Sequence, residues 1–314
     1  MFFKRLFSIV VCILLPFKTV GWGFFAHQRI NELAVFSLPP AMLALYKPQQ
    51  AYLKAHATDA DKRRYIVAAE GPRHYIDIDH YGSPPYDWIP RSWPAALLQF
   101  GEDSLLQYGI VPWYIPLMMA RLSKAFQEKD PDKILRFSAD LGHYVADAHV
   151  PLHACSNHNG QFTGQEGIHG LWESRIPELL ADGSFNYWCG KAVYIRDVPT
   201  FIWQVVSSSA SAADTVLKQE KALSQRTPPD TKYAYENRKG KLVRTYATSY
   251  TKAYQQLLGD MVERRMRAAI HAVASCWYTA WVDAGQPPLN NINKKLKENT
   301  PLPDTGKMIG RVEE

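Results

Sequence analysis

Apolar residues recur every three or four positions along most of the chain, the spacing that places them on one face of an α-helix. This pattern predicts helices over residues 31–46, 104–130, 130–150, 198–222 and roughly 243–282. The last segment offers five candidates for the core: Leu257, Met261, Met266, Ile270 and Trp277. No run of alternating residues predicts strands, and neither a repeat nor a linker divides the chain. We therefore expect an all-α fold in a single multi-helix domain.

Prolines indicate where these helices begin, bend or end. Pro39-Pro40 interrupts the first apolar pattern, because proline cannot continue a helix without losing a hydrogen bond. Pro112 and Pro116 predict that the second helix is kinked or begins near them. Asp130 is the expected N-cap of the third helix, with Pro131 at its first helical position.

The first 21 residues have the pattern of a secretory signal peptide. Lys4 and Arg5 precede an apolar run over residues 6–17, and Gly21 is the expected end of the leader. A membrane anchor is the alternative, but the run is too short to span a bilayer comfortably. We therefore expect export to the periplasm or the medium, with the mature chain beginning at Trp22.

Cleavage at this point would leave 33 basic and 30 acidic residues. A surplus this small is a weak indication of nucleic-acid or membrane binding. The functional domain is expected to span residues 22–284, and residues 285–314 to form a polar, partly disordered tail. Cys155, Cys189 and Cys276 would remain, and their spacing resembles no thiolate zinc site.

The stretch LGHYVADAHVPLH, residues 141–153, concentrates side chains that bind metal ions. His143 and Asp147 are four positions apart, which places them about 40° apart around a helix axis, facing the same way. Pro151 is expected to end the helix, so that His153 can fold back toward the pair. A buried, hydrogen-bonded core residue is the ordinary explanation for a single histidine. This combination favours a metal site instead.

The same four-residue spacing recurs in GIHGLWES, where Glu173 follows His169. Two such pairs in close succession are hard to explain by chance. Imidazole and carboxylate ligands without a thiolate suit zinc or a similar divalent cation. The two pairs and His153 supply more ligands than one tetrahedral site needs, which predicts several ions close together.

The combined motif, H-x-x-x-D-x-x-x-x-x-H followed by H-x-x-x-[DE], resembles the superfamily of zinc-dependent phospholipases C and P-one-type single-strand nucleases. The resemblance implies an all-α fold with a cluster of about three zinc ions in a cleft. It also implies that Trp22, as the mature N-terminal residue, binds zinc through its amine and carbonyl, with His27 as a further ligand. The leader predicted above ends just before Trp22.

The segment RHYIDID resembles the family's histidine followed by an aromatic residue and an aspartate, which implies that His74 is a ligand. The family also has an aspartate upstream. Both Asp59 and Asp61 are available here. Asp61 fits the family pattern better, and the resemblance makes it a ligand and the candidate general base.

The zinc ligands implied by the resemblance are Trp22, His27, Asp61, His74, His143, Asp147, His153, His169 and Glu173. One pair of ions would lie between two ligand groups: Asp61, His74, His143 and Asp147, and His153, His169 and Glu173. The third ion would take Trp22, His27 and Asp147. Zinc lowers the pKa of bound water and offsets charge that develops on a phosphate diester. We therefore expect a phosphoric diester hydrolase.

The sequence leaves two alternatives for the substrate of this hydrolase, a phospholipid and a single-stranded nucleic acid. Glutamate at position 173 and the short gap between His153 and His169 resemble the phospholipase C branch, which we favour slightly. Tyr75 and Asp77 resemble the nuclease branch, in which they would bind a base by stacking and hydrogen bonding.

Aromatic residues in the proline-rich loop 81–94 suit either a base or a choline headgroup, and they suit a packed surface loop equally well. Of the histidines that remain, His149 and His158 are candidates for a role behind the ligands. A non-catalytic secreted protein with a structural metal is the third functional alternative. No stable protein partner is expected.

Overall fold

The structure is a computed structural model that describes residues 23–238 and 240–290. The α-helices are, in chain order, α1 (Phe24–Ala34), α2 (Pro40–Tyr46), α3 (Gln50–Ala55), α4 (Asp59–Arg63), α5 (Trp93–Phe100), α6 (Glu102–Tyr108), α7 (Val111–Glu128), α8 (Pro131–Ala148), α9 (Ile168–Gly170), α10 (Asp182–Ser184), α11 (Val198–Arg226), α12 (Pro229–Lys232), α13 (Thr248–Leu258) and α14 (Met261–Asp283). The all-α class is confirmed.

Short helical segments of other types join these helices. They are the 3₁₀ turns Val35–Ser37, Ala68–His74, Ile78–Tyr81 and Pro151–Ala154, and the π-helical segments Leu171–Arg175 and Pro177–Ala181. Strands β1 (Tyr233–Arg238) and β2 (Lys241–Tyr246) pair as an antiparallel hairpin. Within residues 23–238 and 240–290, no helix combines the length and apolarity needed to cross a membrane.

Three proline-based predictions are confirmed. The first apolar pattern divides before Pro40, which starts α2. Helix α7 begins one residue before Pro112, and the residues ahead of it form the separate helix α6. Helix α8 begins at Pro131, and the Asp130 side chain caps it by accepting a hydrogen bond from the Lys133 N–H at 3.1 Å.

The prediction of one helix over residues 243–282 is wrong. Its first residues belong to β2, and the rest divides into α13 and α14 at Gly259, whose φ is +62°. A residue with positive φ ends a helix, and glycine adopts that conformation without a steric cost. The hairpin itself was not predicted, because the residues of its strands, YAYENR and KLVRTY, do not alternate between apolar and polar.

Helix α8 lies inside the bundle and packs against α1, α7 and α14. The buried apolar residues form one continuous cluster, which includes Met266, Ile270 and Trp277, whereas Leu257 and Met261 are only partly buried. Residues 285–290 of the predicted polar tail are described, and they include the buried Leu289. The signal peptide of residues 1–21, Trp22 and the tail from residue 291 lie outside the described residues.

A close approach between α1 and α8 sets the position of the first predicted ligand. Asn31 on α1 donates to the Ala139 carbonyl of α8 at 3.1 Å. The Asn31 Oδ1 lies only 2.0 Å from the point that a β-carbon at Gly142 would occupy, so no side chain fits there without a shift. One helical turn earlier on α1, the ring of His27 stacks on that of His143, with ring centroids 3.9 Å apart.

We predict that Gly142→Ala lowers the free energy of unfolding by about 1–3 kcal/mol, because the added methyl group overpacks the contact with Asn31. Alanine normally favours a helix over glycine by up to about 1 kcal/mol, so the expected sign is opposite to propensity. Urea denaturation measures the effect. Gly183→Ala on α10 is the control, since open space surrounds that position. Equal stability of the two variants would contradict the prediction.

Candidate metal centre

Eight of the nine predicted zinc ligands lie in the described residues, and all eight are buried, none more than 3% exposed. They come from separate elements: His27 from α1, Asp61 from α4, His74 from the end of Ala68–His74, His143 and Asp147 from α8, His153 from Pro151–Ala154, His169 from α9 and Glu173 from Leu171–Arg175. Folding brings their ring nitrogens and carboxylate oxygens together.

Asp147 lies at the middle of the first group. Its Oδ2 lies 2.9 Å from His74 Nδ1 and 3.2 Å from His143 Nε2, and its Oδ1 lies 3.3 Å from His27 Nε2. Asp61 Oδ1 approaches the same rings, at 3.4 Å from His143 Nε2 and 3.8 Å from His74 Nδ1. One carboxylate therefore faces three imidazoles, and a second carboxylate faces two of them.

The second group consists of His153, His169 and Glu173. Glu173 Oε2 lies 2.9 Å from His169 Nε2 and 3.5 Å from His153 Nε2. The two groups adjoin, because His153 Nδ1 donates to the main-chain carbonyl of His74 at 2.7 Å. Within each of three triads the candidate ligand atoms lie within 4.8 Å of one another: His27, Asp61 and His143; His74, His143 and Asp147; and His153, His169 and Glu173.

Hydrogen bonds to main-chain carbonyls orient three of the rings from behind. The Nδ1 of His143 donates to Ala57 O at 2.8 Å, and that of His169 donates to His158 O at 3.1 Å. His153 has the corresponding bond to His74 O. Each bond fixes the tautomer and turns Nε2 toward the cluster, as in protein metal sites. His158, a candidate for a role behind the ligands, contributes its carbonyl in this way.

His74 is oriented differently. Its Nδ1 faces Asp147, and its Nε2 lies 3.7 Å from Oε1 of the buried Glu70. Burial opposes the charge of Glu70, but His74, Arg63 and Arg73 nevertheless hold the pKa of that carboxyl well below its usual range. Sequence reasoning missed Glu70, although it precedes His74 by four residues, the spacing that had marked the other pairs.

The polar atoms in this group fit a divalent cation. Several buried atoms have no hydrogen-bond partner among the residues that the structure describes: both ring nitrogens of His27, both oxygens of Asp61, Oδ1 of Asp147 and Nε2 of His153. A buried carboxylate oxygen that accepts no hydrogen bond is costly unless a cation offsets its charge. Nitrogen and oxygen donors in this proportion suit zinc and similar ions.

The pKa shifts describe the group without a cation. Burial, and next the proximity of His143, lower the pKa of His27 to about 4, so its ring is neutral at pH 7. Burial opposes protonation of His143 too, but Asp147 and Asp61 raise its pKa well above the ordinary value. A cation that binds here must therefore displace a proton from His143, and its affinity should rise with pH.

The two candidate aspartates upstream of His74 have different surroundings. Asp61 is buried and faces the rings of the first group. Asp59 points away and pairs with His56 Nδ1 at 2.5 Å and with Lys62 Nζ at 2.7 Å. Only Asp61 is therefore placed to bind the same ion as His143.

The predicted substrate residues lie close to the group but are covered. Tyr75 is fully buried, and its hydroxyl donates to the Gln107 carbonyl at 3.0 Å. Its ring therefore offers no exposed face on which a base could stack. Asp77 is 6% exposed, and its N–H donates to Tyr108 O at 2.7 Å. In the loop 81–94, Trp88 is half exposed.

Comparison with solved structures shows a distant similarity. The structure resembles that of the alpha-toxin of Clostridium perfringens isolated from the avian strain SWCP, with a TM-score of 0.45 and 14% sequence identity. The match covers 82% of this chain and 63% of the toxin chain, so this protein spans less than two thirds of the toxin's length. No protein-family model and no curated protein sequence matches the chain. This similarity is too distant to assign a family.

We predict that Asp61→Asn weakens zinc binding by at least about tenfold, because an amide is a poorer ligand than a carboxylate. Asp59→Asn is the matched control, since the same change two residues away removes only a pair with His56 and Lys62. Competition with a fluorescent zinc chelator measures both affinities. A larger loss in the Asp59 variant would reverse the assignment.

Proposed function

We propose that the protein is a secreted zinc-dependent hydrolase that cleaves phosphodiester bonds, of the phospholipase C type. The observation that carries this proposal is the buried group of five imidazoles and three carboxylates, with unpaired donor atoms and no thiolate. A structural zinc site is usually closed, mononuclear and often rich in cysteine. This group supplies more oxygen and nitrogen ligands than such a site needs.

The proximity of the side chains supports the ligand sets that the resemblance implies. Asp61, His74, His143 and Asp147 would hold one ion, and His153, His169 and Glu173 a second. His27 lies beside Asp147 and also beside Asp61, so it would take part in a third site. Trp22 would complete that third site through its free amine. The described chain begins at Gly23, whose N–H donates to Glu173 O at 3.2 Å.

Bound zinc would lower the pKa of a water molecule and offset negative charge on the phosphoryl oxygens. Asp61 is the candidate general base, because its second oxygen remains available to accept a proton. The carbonyl bonds behind His143, His153 and His169 hold the ligand rings in place during the reaction. Burial of the group excludes bulk water, which strengthens each of these electrostatic interactions.

A single-strand-preferring endonuclease is the alternative, because a centre with these ligands would suit either diester. Glutamate at position 173 and the short gap between His153 and His169 support the phospholipase C proposal. The burial of Tyr75 weakens the argument for base stacking. Tyr75 and Asp77 remain the substrate-binding residues of the nuclease proposal. A non-catalytic protein with structural metal is the remaining alternative.

We predict that the chain beginning at Trp22 binds about three zinc ions and releases headgroup from phosphatidylcholine vesicles. Metal analysis and parallel assays on vesicles and on single-stranded DNA and RNA test this. Zinc with nucleotide release instead would make the protein a nuclease. Zinc without turnover of either substrate would favour a structural site. One zinc ion or none would refute the ligand assignment.

We also predict that one glycine added before Trp22 removes about one zinc ion and most of the activity, because the terminal amine is then displaced from its site. Metal analysis of the extended chain measures the loss. The same glycine added after Glu314 is the control and should change neither quantity. An extended chain with the full zinc content would show that the amine of Trp22 is not a ligand.

A further inference from the structure

A network of buried charges lies directly behind the candidate metal centre. At its middle is Glu70, whose side chain is fully buried. Its Oε2 accepts a hydrogen bond from Arg73 Nη1 at 2.6 Å, and its Oε1 accepts from the Tyr144 hydroxyl and from Arg63 Nη2, the latter at 3.4 Å. Sequence reasoning assigned none of these residues a role.

Arg63 extends the network to two more elements. Its Nη1 donates to Oδ1 of Asp140 at 3.0 Å, and its Nη2 donates to the Tyr144 hydroxyl at 3.1 Å. Arg63 lies at the end of α4, whereas Asp140 and Tyr144 lie on α8, with Glu70 in the turn Ala68–His74. The network therefore joins three segments that are separate in the sequence.

Each of these segments carries a ligand of the first group. Arg63 follows Asp61 by two residues on α4, and Tyr144 is the neighbour of His143 on α8. Glu70 precedes His74 by four residues in the same turn. A shift of any one segment against the others would change the distances between the ligand atoms.

His74 depends on this network most directly. The other three rings with a bond from behind use a neutral main-chain carbonyl as acceptor. Behind the Nε2 of His74 lies the Glu70 carboxylate instead, at 3.7 Å, and that nitrogen has no hydrogen-bond partner among the described residues. In metal sites, a carboxylate that accepts a hydrogen bond from the far nitrogen of an imidazole ligand fixes the tautomer and makes the ring a stronger donor to the metal.

Stability alone does not account for a charged network at this place. Apolar residues of the same volume often stabilise a protein as well as a buried ion pair does. In some proteins, a buried charged network instead fixes the relative position of the elements that it joins. Here the elements joined are the ones that carry Asp61, His74 and His143.

We propose that Glu70 is a positioning residue of the metal centre. Its carboxylate holds His74 from behind, and through Arg63 and Tyr144 it fixes α4, the turn Ala68–His74 and α8 relative to one another. This inference rests on the zinc centre of the proposed function and adds residues that do not themselves bind the ion.

The test is Glu70→Gln, which keeps the size of the side chain and an acceptor for the Tyr144 hydroxyl but removes the negative charge. We expect zinc affinity to fall by about 10–100-fold, the usual effect of losing a partner behind a ligand. In the cobalt-substituted protein, the visible absorption bands should shift, because the ligand field at His74 changes. Chelator competition and absorption spectra measure the two effects.

Glu220→Gln is the matched control. Glu220 is also fully buried, and it accepts hydrogen bonds from Tyr250 at 2.7 Å and Lys232 at 2.8 Å, in a network that contains no predicted ligand. We expect this variant to lose folding stability but to keep wild-type zinc affinity and the wild-type cobalt spectrum. An equal effect of both substitutions on metal binding would overturn the proposal.

Tyr144→Phe tests the same network if Glu70→Gln does not fold, since it removes one hydroxyl and keeps the ring. A fall in the zinc affinity of this variant, smaller than the fall expected for Glu70→Gln, supports the proposal. Wild-type affinity and spectrum in the variant that folds would overturn it. If the wild-type protein itself binds no zinc, the proposed centre fails and this inference with it. That result differs from one in which all variants bind zinc equally.

Discussion

The arrangement of this protein depends on one electrostatic constraint: three carboxylates and five imidazoles are removed from water together. Such a group is unstable unless positive charge enters it, either as protons on the histidines or as metal ions. The raised pKa of His143 and the lowered pKa of Asp147 show the first solution, in which a protonated His143 offsets the buried carboxylate. A divalent cation is the second solution, and the unpaired atoms of Asp61 and His27 favour it.

The bundle meets this constraint through helix α8. This helix contributes His143 and Asp147 from one face, and it packs against α1, which brings His27 onto the His143 ring. Gly142 permits that approach, because a side chain at this position would collide with Asn31. A requirement for close helix packing and a requirement for ligand proximity therefore meet at adjacent positions of one helix.

The sequence predicted the parts of the centre that depend on local spacing. Residues four apart share a helical face, so His143 with Asp147 and His169 with Glu173 could be paired without a structure. It could not choose between Asp59 and Asp61 on geometric grounds, because that choice depends on how α4 faces α8. Proline and a capping aspartate gave the helix starts, since their effect is local.

The wrong prediction of one helix over residues 243–282 and the missed hairpin have the same origin, because both depend on more than local spacing. A glycine can continue a helix or end it, and the spacing of apolar residues does not show that Gly259 adopts the positive φ that separates α13 from α14. The hairpin β1–β2 is anchored by Arg175, which donates to Glu236 at 2.9 Å and to the Tyr246 carbonyl at 3.1 Å. Those partners are more than sixty residues away in the chain, beyond the reach of a pattern based on spacing.

The histidine ligands also differ in whether the main chain or side chains from distant segments surround the ring. A ring whose Nδ1 donates to a main-chain carbonyl takes its orientation from the fold, so it stays in place as long as the backbone does. His143, His153 and His169 are of this kind. His74 instead has carboxylates beside both ring nitrogens: its Nδ1 lies 2.9 Å from Asp147 Oδ2, and its Nε2 lies 3.7 Å from Glu70 Oε1. Because side chains rather than carbonyls surround its ring, we expect His74 to respond more than the other three to substitutions that leave the backbone intact.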